Sequence, residues 1–164
     1  MSYDLANPEA GYGLDSAERD RREFLTCRLG DESYGIDILQ VQEIREIDRV
    51  TRVPHVAAFV RGVINLRGAI VPIVDLGMMF GFPQALELKG ASAIVLNVER
   101  RLVGLVVGSV SDVIALAEDE IVPAPELGGR AIGAALQGIG TREGVSVLLL
   151  DVNYVITRIR EARE

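Results

Sequence analysis

The sequence predicts an all-β fold carrying a few short helices. Two observations lead there. Short runs rich in Val and Ile recur along the chain, separated by turn residues, and 17 glycines punctuate 164 residues in which few stretches keep a helical period. That length suits one ordinary domain, or two small lobes sharing a core. With 49% hydrophobic and 25% charged residues the composition is that of an ordered, core-forming chain.

The elements follow in order. Residues 1–22 hold Pro8, Gly11 and Gly13 among scattered charges with no periodicity, which predicts a flexible N-terminal arm. Residues 23–29 read as a strand, Gly30 to Ser33 as a turn, and residues 34–37 as its returning partner, with Tyr34 and Ile36 on one face. Residues 69–74, 91–98, 102–107, 110–117 and 145–152 are further strands, and Glu99-Arg100-Arg101 is a break of hairpin length. Residues 57–61 and 76–80 are expected as short helices closed by Gly62 and Gly81. Asn153 is expected to cap a final helix running to Arg160. Residues 123–144, with two prolines and five glycines before Gly144, read as loop around a helical turn at 132–136.

One segment is ambiguous. In VQEIREIDRVTRV the apolar residues Val41, Ile44, Ile47, Val50 and Val53 recur every third position. The period favours a helix, whereas the β-branched content favours a strand.

Composition excludes several kinds of chemistry. The net charge of −7 argues against a nucleic-acid partner. Cys27 has no second cysteine to bond with, and Cys27 and His55 alone cannot assemble a Cys/His metal site. Cys27, alternating with Leu25 and Leu29, reads as a small core residue. Lys89 lies outside any phosphate-cradling Gly-Lys-Ser/Thr loop, and Gly138-Ile139-Gly140 lacks the spacing of a dinucleotide fingerprint. No apolar run approaches a membrane span, and the first residues do not form a signal peptide, so a cytoplasmic location is expected. Glu118-Asp119-Glu120 and His55 are what remains for a small-molecule-binding barrel or an enzyme, and neither sits in a catalytic motif. No catalytic residue, metal or cofactor is predicted.

Charge is distributed unevenly. Between Arg45 and Arg67 lie five arginines against Glu46 and Asp48, whereas residues 109–127 hold five acids and no base. Opposed blocks of this kind orient partners more than they stabilise folds.

Four strings go beyond composition: EFLTCRLGDESYGIDILQVQEIREIDRVTRV, FVRGVINLRGAIVPIVDL, LVGLVVGSVSDV and IVPAPEL. In this order and spacing the chain resembles the CheW-like domain family of bacterial chemotaxis coupling proteins. The resemblance spans residues 23–157 as one CheW-like domain, leaving 1–22 as the arm and 158–164 as a helix end or tail. It implies two five-stranded SH3-like β-barrel subdomains packed around a shared hydrophobic core. It also implies a turn near residues 39–42 followed by a strand through Val53.

The function implied is that of a non-catalytic adaptor joining the cytoplasmic tips of transmembrane chemoreceptors to the regulatory domain of the histidine kinase CheA, without inserting into the membrane itself. An adaptor of a related motility or developmental pathway is the alternative. The family's receptor- and kinase-binding positions fall on Val41, Glu43, Gly62, Asn65, Arg67 and Gly68. Physical alternatives stand beside these roles: core packing for Val41, a solvated strand position for Glu43, and for Arg67 an internal ion pair with Glu43 or Asp37 that pins its turn. The chain departs from the family pattern at Glu46, Gly77 and Gly108 and at Pro54-His55, which bears on partner choice.

Overall fold

A computed structural model describes residues 20–124 and 131–161. The first half contains β1 (Arg22–Leu29), β2 (Glu32–Asp37), β3 (Val41–Glu46), β4 (Val60–Leu66), β5 (Ala69–Asp75) and the one-turn helix α1 (Leu76–Met79). The second half contains β6 (Ser92–Val98), β7 (Arg101–Val106), β8 (Ser109–Leu116), β9 (Ile121–Val122), the one-turn helix α2 (Ala131–Ala134), β10 (Leu136–Arg142), β11 (Val145–Leu150) and α3 (Val152–Glu161). The strands form two sheets, ordered β3-β6-β7-β5-β4 and β8-β1-β2-β11-β10-β9. They are the two barrels expected, here called barrel one and barrel two. The sixth strand of barrel two is the two-residue β9. Its counterpart in barrel one is a single bridge from Thr51 to Val63.

The two halves are tandem copies of one pattern. The β1–β2 hairpin pairs Phe24 with Asp37 through Leu29 with Glu32, and 69 positions later β6–β7 pairs Ala93 with Val106 through Val98 with Arg101. The β4–β5 hairpin recurs 76 positions on as β10–β11, with the same register and the same bulge, before Gly62 in one and Gly138 in the other. The halves exchange their first hairpins. Strands β6 and β7 complete barrel one, whereas β1 and β2 complete barrel two. Neither half can therefore close a barrel alone.

Exchange also explains the cores. Leu25, Cys27, Leu29, Tyr34 and Ile36 from β1–β2 meet Ile94, Leu96, Val98, Val103 and Leu105 from β6–β7 in one large apolar core between the barrels. Alternate residues turn the other way, Phe24 into a small core with Leu116, Val147 and Leu149, and Ala93, Val95 and Val106 into one with Ile64, Val71 and Ile73. Cys27 is fully buried opposite Tyr34, and burial pushes its thiol up to about 12.

Several sequence expectations are corrected. Residues 57–61 are not a helix: the chain turns and enters β4 at Val60, whose β-branched neighbours pair with β5. The strand expected to run through Val53 ends at Glu46. A bulge between Val41 and Glu43 shifts the alternation, and Ile47 then leaves the sheet for the core of barrel one. The period of three was this irregularity. Residues 123–144 include a strand, Leu136–Arg142, whose glycines fit close approaches: a Cβ on Gly140 would lie 2.4 Å from Leu116 Cδ1. The last strand stops at Leu150, and Asp151, not Asn153, caps the final helix by accepting from the Asn153 amide at 3.0 Å. The arm expected over 1–22 falls mostly in residues 1–19, outside the described residues, as do 125–130 of the expected loop.

Candidate functional site

The sequence places its candidates on β3 and on the β4–β5 hairpin, and the fold brings four of them together at one end of barrel one. Arg67 and Gly68 are the two central residues of the hairpin turn, with φ of +51° and +90°. Two positive values define a type I′ turn, whose twist matches that of the strands it joins. Gly68 adopts this conformation freely, but Arg67 does so at a cost of about 1 kcal/mol or more. Asn65 holds the turn by accepting from the Gly68 amide at 2.9 Å through Oδ1.

The turn aims Arg67 across the open edge of the barrel, where its Nη2 donates to Glu43 Oε2 on β3. Arg45 lies on the other carboxylate oxygen of Glu43 at 3.7 Å. The hydrogen bond from Arg67 is the main cause holding the Glu43 carboxyl below its ordinary value. The pair therefore persists to a lower pH than an ordinary carboxylate would allow and is lost as pH falls further. Of the two internal partners foreseen for Arg67, Glu43 is the one found. Asp37 instead accepts from Arg22 at 3.2 Å and from the Leu39 amide at 3.0 Å.

Arg67 remains 64% exposed, so the pair leaves most of the guanidinium open to a partner. Along the chain around β3, Leu39 is 89% and Ile44 49% exposed, on either side of Val41 and Glu43 in sequence. Val41 is half-buried against the inter-barrel core. Gly62 sits apart, three residues up β4 from Asn65, about 10 Å along the strand. A Cβ there would stand 2.4 Å from the Thr51 carbonyl oxygen and 2.5 Å from Val50 Cγ1. Gly62 thus lets the segment through Thr51 lie against β4, where Thr51 and Val63 exchange hydrogen bonds of 2.9 and 2.8 Å.

A feature the sequence reading missed lies beneath this segment. Asp75, fully buried at the end of β5, accepts from Arg61 at 3.2 Å, from the Leu86 amide at 2.9 Å and from the Met78 amide at 3.1 Å. Arg61 also donates to the Leu86 carbonyl at 2.9 Å and lines a cleft of about 560 Å3 with Arg52, Val53, Ala57, Met78 and Leu88. An acid inside the apolar run VPIVDLGMM was the available signal. His55 is exposed with φ +62°, and Glu120 accepts from the Ala117 amide at 2.8 Å, closing a local turn. Among the described residues no cluster of His, Cys, Asp or Glu is arranged to hold a metal, and no helix is long and apolar enough to cross a membrane.

Comparison with known proteins gives the family. The model of the CheW-like domain matches residues 23–160. The chemotaxis protein CheW of Klebsiella aerogenes is 43% identical over 136 residues, covering 83% of this chain and 82% of that protein. A crystal structure of the scaffolding protein TtCheW from Thermoanaerobacter tengcongensis superposes with a TM-score of 0.74 at 29% identity, covering 80% of this chain and 89% of that one. A more distant relative, the protein FrzA of Myxococcus xanthus, is 27% identical over 82% of this chain and 86% of its own length. With the family model spanning both barrels and a relative this similar over most of both sequences, the chain belongs to the CheW-like domain family and is a non-catalytic scaffold of chemotaxis signalling.

Proposed function

We propose that this scaffold couples the cytoplasmic tips of chemoreceptors to the histidine kinase CheA, and that Val41, Glu43, Gly62, Asn65, Arg67 and Gly68 form or shape its contact surface. The observation that carries this reading is the Arg67 turn. A non-glycine residue in a strained conformation presents an exposed guanidinium, oriented by Glu43 on β3, and the chain around that strand also exposes Leu39 and Ile44. Apolar area supplies affinity for a receptor helix or a kinase domain, and the oriented charge supplies register. The protein acts in the cytoplasm and joins receptor arrays, where several modest contacts combine into avidity. Signal passes when receptor states differ in affinity for the adaptor–kinase unit, because a ligand shifts a population only by that difference.

The test is kinase activation in a mixture of receptor fragments, kinase and this protein. Arg67→Glu should abolish activation with the fold intact, and normal activation by that variant would overturn the assignment. The similarity to FrzA favours a second reading, an adaptor for a different receptor set. Binding to the cognate receptors of the same genome separates the two.

A further inference from the structure

The tandem repeat exposes a vacancy on the side of the molecule that carries α3. In the first copy Phe80, just past α1, stacks on Tyr34 with ring centroids 5.8 Å apart, and Phe82 closes over the β1–β2 turn at Gly30. The equivalent positions in the second copy are Ile156 for Phe80 and Val103 for Tyr34. Two rings are replaced by two smaller aliphatic side chains, and a groove of about 190 Å3 opens between them, floored by Pro72, Leu102, Val103, Ile156 and Ile159.

Its rim is basic. Arg101 and Arg160 are the charged residues lining it, in a chain whose net charge is −7. At the position equivalent to Arg101 the first copy carries Glu32, so the charge at this place is reversed between the copies. The volume is below the roughly 300–1,000 Å3 of small-molecule sites and suits a single anchoring side chain. The β6–β7 turn beside it, at Glu99 and Arg100, holds two non-glycine residues at φ +51° and +69°. Such strain persists only where the surrounding structure imposes it.

We propose that this groove docks an acidic protein segment through one aromatic side chain, which takes the place that Phe80 fills in the other copy, while flanking carboxylates meet Arg101 and Arg160. Charge complementarity selects the segment, and the ring that already fills the equivalent site shows the shape that fits. Apart from Pro72 on β5, the lining lies on β7 and α3 and not on the Arg67 hairpin, so it can be tested independently of the coupling role.

The probe is a short acetylated peptide with a central Phe flanked by Glu on both sides, titrated into the isotope-labelled full chain and followed by amide chemical shifts. Shifts should concentrate on Leu102, Val103, Ile156 and Ile159, vanish when Ala replaces Phe, and weaken at least about tenfold when Lys replaces Glu, as expected for loss of paired charges. Ile156→Phe, which fills the groove as the first copy does, should abolish binding. Arg101→Glu with Arg160→Glu should do the same and serves if Ile156→Phe disturbs packing. No groove shifts at millimolar peptide, equal binding of the Lys peptide, or unchanged binding by the filled and charge-reversed variants would each overturn the proposal.

Discussion

The β4–β5 and β10–β11 hairpins are the same structure built twice, and their differences separate what the fold requires from what the site uses. Gly62, Gly68, Val71 and Asp75 recur 76 positions later as Gly138, Gly144, Val147 and Asp151. These residues make the bulge, the turn, the barrel core and the helix start, which both copies need. The turn cation does not recur. Arg67 becomes Glu143, still at φ +53°, and Asn65 becomes Thr141. On the edge strand the acid is kept, Glu43 matching Asp112 at the same register 69 positions on, so barrel two carries two acids where barrel one carries an ion pair. The molecule thus contains its own control for the candidate site.

The sharpest way to break this comparison is at its shared aspartates. Asp75 and Asp151 both precede a helix, but Asp75 also takes Arg61 and the Leu86 amide, whereas Asp151 is half-buried and caps Asn153. Asp75→Ala should cost about 3 kcal/mol, since it strips a buried donor cluster and leaves Arg61 without its carboxylate. Asp151→Ala should cost about 1 kcal/mol, the worth of a helix cap. Urea unfolding of both variants checks this, and equal losses would mean that the Arg61 cluster adds nothing.

Next come the bulge glycines. A Cβ on Gly62 would lie 2.4 Å from a backbone oxygen at φ +143°, and one on Gly138 would lie 2.8 Å from the Val122 oxygen without the positive φ. Gly62→Ala should destabilise by about 2 kcal/mol more than Gly138→Ala, because clash and backbone strain add. If unfolding midpoints show the two to be equal, the seating of Thr51 against β4 is less demanding than its geometry implies.

The hairpins around residues 29–32 and 98–101 and most strands were legible because they obey local rules of alternation and turn chemistry. The family strings added the two barrels, the shared core and six positions, four of which meet at the Arg67 turn. What escaped was long-range. Gly138 and Gly140 signalled loop, yet they are strand residues required by Leu116 and Val122, far away in sequence. The exchange of hairpins left no local mark. Identities between the copies are few and their offset changes from 69 to 76, so neither a short-period search nor composition finds it. Asp75 interrupted an apolar run, and only the fold showed the three donors converging on it.

Cys27 offers a comparison within the shared core, where the other copy has Leu96. Its thiol titrates at about 12 in the folded protein against ~8.5 when unfolded. Above pH ~8.5 the unfolded chain loses a proton that the folded chain keeps, so stability falls with rising pH, by about 1 kcal/mol per unit from this group. Cys27→Ala removes this dependence, as the difference in alkaline unfolding curves should show. The native thiol should also resist alkylating reagents at neutral pH.

The smallest stability effect tests the comparison most directly. Asn adopts positive φ more readily than Arg or Glu, so Arg67→Asn and Glu143→Asn relieve equivalent turns. Glu143→Asn should stabilise by about 0.5 kcal/mol and leave kinase activation unchanged. Arg67→Asn gains the same relief but forfeits a solvent-exposed ion pair, so its net stabilisation is smaller. Its coupling should nevertheless be lost, because the turn then has no cation to present. Activation by Arg67→Asn at the wild-type level would mean that the strain at Arg67 is incidental, as it would then be at Glu143. A loss confined to Arg67 would assign coupling to the charge that distinguishes two otherwise matching turns.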